Sequence, residues 1–146
     1  MGLDAMATGQ HAVSAIALED SEVCSVPADS LEQHCLQDES VAKRVHLAMA
    51  REINAQQRVI LMLGSKTAEQ RVASFLIELA ATYLALGDPS SDIDVVMTRA
   101  ELGSYLGLTF ETISRILSHF QDRQFLAVNK RHVRILDMAG LKHLMA

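Results

Sequence analysis

The period of the apolar positions changes twice along this chain, and each change marks a different kind of element. Between His11 and Pro27, the runs AVSAIAL and EVCSV predict two short strands. The acidic turn LEDSE separates them and Pro27 ends the second. A lone pair of strands is marginal in water, so these two are expected to pack on helices or to belong to a larger sheet. Asp29 to Cys35 reads as a short helix capped by Asp29 or Ser30, followed by the polar break QDES. From Val41 to Leu63 there is neither Gly nor Pro, and the spacing switches to that of a helix about 35 Å long. Ala42, His46, Met49, Ile53, Gln56, Ile60 and Leu63 alternate at steps of four and three, the seam of a two-stranded coiled coil. The same stripe also suits a face turned to the chain's own core.

Gly64 and Ser65 are expected to break that helix. Thr67 to Gln70 then opens another with a capping-box pattern, running through FLIELAATYLAL to Gly87, with Pro89 beyond. DPSSD reads as a loop and IDVVM as a short strand. Thr98 to Glu101 is a second capping box, opening a two-turn helix with Leu102 and Leu106 on its apolar side. Gly107 ends this helix, Leu108 fills the turn, and Thr109 caps FETISRILSHFQ a few residues later. So short a link makes two helices cross steeply, which is a helix-turn-helix. Beyond Asp122, FLAV and HVRIL predict two strands around the basic turn NKR, the wing of a winged helix.

At about 100° per residue, the second helix of that motif divides cleanly. Ile113, Ile116, Leu117 and Phe120 fall on one side, with Glu111, Ser114, Arg115 and Ser118 on the other. A guanidinium can grip guanine O6 and N7, a carboxylate can accept from the cytosine amino group, and a serine suits a base edge or a phosphate. Glu111, Ser114 and Arg115 are therefore the candidate base-reading residues. Thr109, Thr112, Ser118, Lys130 and Arg131 are the candidates for the DNA backbone. The alternative for Glu111 and Arg115 is an exposed ion pair one turn apart.

Composition supports helices over a sheet sandwich: 49 % of the 146 residues are hydrophobic, 4 % are aromatic and there is no Trp. The expected fold class is mainly α with small β elements (α+β). Its parts are remnant strands over 1–39, a dimerisation helix over 40–64 and a winged helix-turn-helix over 65–146. The net charge of −5 argues against a polyanionic partner until it is divided along the chain. Residues 1–93 hold 6 Lys and Arg against 13 Asp and Glu, whereas 94–146 hold 7 against 5. With no export signal and no long apolar run, a cytoplasmic protein without membrane contact is expected. Cys24 and Cys35 are expected to be free thiols. His34, His46, His119, His132 and His143 have neither metal-ligand spacing nor a nucleophile beside them, so no enzyme is expected.

The segment MTRAELGSYLGLTFETISRILSHFQ, with its Glu111, Ser114, Arg115 core, resembles the catabolite activator and fumarate-nitrate reduction regulator family, and in particular its oxygen-sensing branch. The resemblance runs over essentially the whole chain. It implies a homodimer joined along the long helix, bound to double-stranded DNA at inverted repeats of TTGAT-like half-sites, with RNA polymerase as the protein partner. A chain lacking most of the sensory β-roll also suits a truncated dimerisation partner, a decoy for full-length relatives. SEVCSVP places Cys24 where the branch has one ligand of a [4Fe-4S] cluster. The branch's other ligands come from an N-terminal cysteine cluster that this chain lacks. No cofactor is therefore expected on this chain alone, and a cluster is expected only in a longer form. Otherwise Cys24 is an ordinary buried strand cysteine.

Overall fold

The computed structural model describes residues 5–87 and 92–145 and divides into two compact units, 1–59 and 60–146. It is mainly helical, with one small antiparallel sheet. Among the described residues, no helix is long and apolar enough to cross a membrane.

The first unit holds α1 (Ala5–Thr8), α2 (Ala28–Gln37) and most of α3 (Glu39–Ser65). The two strands expected between His11 and Pro27 do not form. The segment runs exposed, and Ile16 is 85 % accessible. Alternating apolar residues make a strand only when a neighbour completes the hydrogen-bond ladder, and no strand of the described chain pairs with this segment. The short helix is also not capped by Asp29 or Ser30. It starts at Ala28 behind Pro27, which makes no side-chain cap bond and whose ring fixes φ at −59°.

Helix α3 is longer than expected at both ends and continues through Gly64 and Ser65. Of its 27 residues only Met62 is buried. Ala42 and Met49 are half-buried, while His46, Ile53, Gln56, Ile60 and Leu63 are exposed. Ile53 and Ile60 are 55 % and 68 % accessible, so the expected seam carries large exposed aliphatic surface.

The second unit contains the end of α3, then α4 (Ala68–Ala85), β1 (Asp92–Asp94), α5 (Arg99–Leu106), α6 (Phe110–Asp122), β2 (Leu126–Asn129), β3 (His132–Ile135) and α7 (Met138–His143). Both predicted capping boxes are present. The Thr67 hydroxyl accepts from Gln70 N–H while Gln70 Oε1 accepts from Thr67 N–H at 3.0 Å. Thr98 and Glu101 exchange the same pair of bonds, at 2.7 and 3.2 Å. Of the loop DPSSD, residues 88–91 lie outside the described residues, and its last Asp begins β1. The strand expected over IDVVM is shorter, ending at Asp94. The sheet order is β1-β3-β2, all antiparallel, with Ile93 opposite Val133 and Val133 opposite Val128. Val72, Leu76, Leu106, Ile113, Phe120, Leu126 and Leu141 form the centre of the core, each at 1 % exposure or less.

Candidate nucleic-acid interface

Three residues separate α5 from α6, and each has a physical task. Gly107 takes φ +64°, a left-handed conformation that ends α5 at little cost only for glycine. Leu108, half-buried, donates its N–H to the Gly103 carbonyl at 2.8 Å. Thr109 caps α6 by accepting from Thr112 N–H at 3.2 Å. Gly103 is the close-approach point: a Cβ there would lie 2.7 Å from the Leu108 carbonyl oxygen.

With α5 and the turn fixed, α6 buries Ile113, Ile116, Leu117 and Phe120, the side expected from the angular division. Glu111, Arg115 and Ser118 are exposed on the other side, whereas Ser114 and Thr112 are half-buried. Among the described residues no ion pair joins Glu111 to Arg115. The Glu111 carboxyl is held below its ordinary range by its own backbone N–H and by the Thr109 hydroxyl. Thr109 and Thr112 hydroxyls are 3.1 Å apart, so each is partly engaged with the other.

The wing is a tight hairpin. Asn129 pairs with His132, and Lys130 and Arg131 form the exposed two-residue link, Lys130 with φ +57°. Its second strand, β3, is the middle strand of the sheet and is anchored to β1 by side chains as well as by the ladder. Arg134 donates from Nε to Asp92 Oδ1 at 2.6 Å and from Nη2 to Oδ2 at 3.0 Å, and His132 Nδ1 contacts the Asp94 carboxylate. Arg134 therefore belongs to the sheet rather than to the free basic surface.

A cleft of about 350 Å3 is lined by Arg99, Phe110, Lys130 and Arg131 over a floor that includes Met97 and Leu117. The wing tip is thus beside the N-terminal end of α6. A second cleft, about 480 Å3, is lined by Arg115, Ser118 and His119 together with Glu69 and Asp122. His119 Nδ1 is 3.0 Å from Glu69 Oε1, tying α6 to α4. Two residues of this surface were not legible as such in the sequence. Arg99 reads only as part of a capping box, yet burial pushes its guanidinium down from its ordinary value. Phe110 reads as a helix residue with no assigned side, yet it is 52 % accessible. Neither has a local signal, because only the folded hairpin brings the wing to them.

The carboxylates of this unit predict an acid limit to its stability. The side-chain hydrogen bond from Arg134 lowers Asp92, and the hydrogen bonds from Thr98 lower Glu101. Both folded-state values lie below the unfolded ones. Their stabilisation is therefore complete above about pH 5 and is lost as the pH falls below about 4. The urea midpoint should stay level from pH 7 to 5 and then fall. Asp92→Asn should flatten that fall, and an unchanged acid limb would contradict the assignment.

Cys24 is exposed on the extended segment and Cys35 is half-buried, both as free thiols. Cys24 is thus not a buried strand cysteine. A [4Fe-4S] cluster takes four cysteine ligands, and the sequence holds two, so this chain by itself does not fit that group.

Comparison with known proteins agrees with this geometry. Residues 70–144 match the family model of the Crp-like helix-turn-helix domain. Over 145 residues the chain is 40 % identical to the transcriptional regulatory protein btr of Bordetella pertussis, covering 99 % of this chain and 60 % of btr. It is 39 % identical over 137 residues to the transcriptional activator protein Anr of Pseudomonas protegens, covering 94 % and 56 %. The chain thus spans 56–60 % of the length of these curated relatives. Among solved structures, FixK2 from Bradyrhizobium japonicum superimposes with a TM-score of 0.74 at 34 % identity, over 83 % of this chain and 60 % of FixK2. With its helix-turn-helix, wing and long preceding helix accounted for, the chain belongs to the CRP/FNR family of regulators.

Proposed function

We propose that this chain is the dimerising and DNA-binding part of a sequence-specific transcriptional regulator that binds inverted-repeat promoter sites with TTGAT-like half-sites. The observation that carries the reading is α6: its aliphatic side is sealed in the core while Glu111 and Arg115 stand exposed without an ion pair between them. In this reading Arg115, Glu111 and Ser114 read base edges, and Thr109, Thr112, Ser118, Lys130 and Arg131 hold the backbone. The exposed stripe of α3 joins two copies through Ile53, Ile60 and their neighbours, giving domains of 1–39, 40–64 and 65–146. The site of action is the cytoplasm, with RNA polymerase as a further partner. An iron–sulfur cluster enters only if cysteines outside this sequence supply the remaining ligands.

Gel shifts on a TTGAT palindrome and its single-base variants test this. Arg115→Ala should cost about 1–3 kcal/mol and flatten the preference at one base position. Lys130→Ala should weaken every sequence alike and reduce the salt dependence of binding. Ala and Lys share the same left-handed strain at position 130, so this substitution isolates the charge. Equal losses on every duplex for Arg115→Ala would defeat the base-reading role.

A further inference from the structure

Arg71, on the first turns of α4, spreads its guanidinium over three backbone carbonyls from two other helix ends. Nη2 donates to Leu63 O at 2.6 Å, Nε to Lys66 O at 3.1 Å, and Nη1 to Leu106 O at 3.2 Å. Leu63 lies in the last turn of α3, Lys66 follows it directly, and Leu106 is the last residue of α5. The last carbonyls of a helix have no partner within it and carry the negative end of its dipole. A planar cation with divergent donors can serve two such ends at once, whereas an ammonium cannot hold the same fork. The two ends also lie close together, since a Cβ at Gly107 would meet Leu63 Cδ2 at 3.2 Å and Arg71 Nη1 at 3.4 Å.

We infer that Arg71 is a positioning residue that fixes the helix-turn-helix against the last turn of α3, and thereby sets the distance between the two reading helices of a dimer. The inference rests on the dimeric DNA-binding reading above. Leu63 links the two, since it belongs to the exposed seam and its carbonyl accepts from Arg71. Dimeric helix-turn-helix proteins read half-sites at a fixed spacing of about one duplex turn. Whatever ties the motif to the dimerisation helix therefore controls which spacing is accepted. Arg115, Lys130 and Arg131 are exposed, whereas half-buried Arg71 has Nε and both Nη groups engaged on backbone carbonyls.

The experiment compares the wild-type chain with Arg71→Met and Arg71→Lys on four duplexes: the palindrome, the palindrome with one base pair added or removed between half-sites, and a single half-site. Arg71→Met should bind the single half-site within about twofold of wild type and lose about tenfold on the palindrome, the loss expected when charge-assisted bonds that orient the motif are removed. Its discrimination between the correct and altered spacings should nearly vanish, and Arg71→Lys should fall between. Unchanged spacing discrimination in Arg71→Met would overturn the inference, as would parallel losses on half-site and palindrome, which mark a merely structural role. Amide hydrogen exchange without DNA gives an independent reading. In Arg71→Met, protection should drop together at Lys66 and Gly107, whose N–H groups bond Met62 O and Ser104 O, while α6 stays protected. Loss at neither position would refute the clamp, whereas loss at both with no wild-type binding to any duplex would refute the DNA-binding reading and leave the clamp standing.

Discussion

Phe120→Ala should lower the unfolding free energy of the 60–146 unit by about 3–5 kcal/mol, the cost of removing a buried phenyl ring and leaving its volume unfilled. The ring is fully buried and sits 6.1 Å, centroid to centroid, from Phe125 at an interplanar angle of 55°. Phe125 is in turn covered on its surface by Arg123, 4.4 Å from its centroid. Phe120 therefore joins α6 to Phe125, the residue just before β2. Urea denaturation followed by circular dichroism measures the change, and a loss below about 1 kcal/mol would mean that the surrounding core collapses onto the site.

Gly103→Val should be comparably damaging by the opposite route. Its Cβ would lie 2.7 Å from the Leu108 carbonyl oxygen and 3.5 Å from the carbonyl carbons of Leu108 and Thr109. All three are backbone atoms of the turn, so relief requires moving α6 rather than rotating a side chain. Overpacking of this kind costs about 1–3 kcal/mol or more, and here it displaces the element that carries Glu111 and Arg115. Gly64→Ala is the matched control: it also lies in a helix, has nothing within 4 Å of its Cβ position, and should gain up to about 1 kcal/mol. Thermal melting of both variants tests the pair, and equal melting temperatures would refute the close-approach argument.

The parts of this fold that the sequence made legible are those decided locally. Thr67 with Gln70 and Thr98 with Glu101 announce helix starts because each box is closed within four residues. Gly107 and Thr109 define the turn by their own backbone and hydroxyl, and the aliphatic spacing of α6 follows from helical geometry alone. The division of Glu111 and Arg115 from Ile113 and Phe120 was readable for the same reason. What failed or stayed hidden depends on distant neighbours. The apolar residues between Val13 and Val26 have a strand-like composition but no ladder partner, so they remain extended and exposed. Arg134 counts as basic surface until Asp92, 42 residues away, claims it. Arg71 sits in an ordinary helix opening, and its role exists only because α3 and α5 end within its reach. Arg99 and Phe110 join the candidate site through the wing's return, which no local spacing records.

The tip of the wing sets charge against backbone strain. Lys130 holds a left-handed backbone that disfavours any side chain with a Cβ by about 1–2 kcal/mol, at the first position of a two-residue link where glycine or asparagine would sit more easily. Either replacement would relieve that strain while removing a cation from the hairpin link. A thermostabilised version of this unit chosen by melting temperature alone would accordingly drift toward a relaxed wing tip stripped of one positive charge.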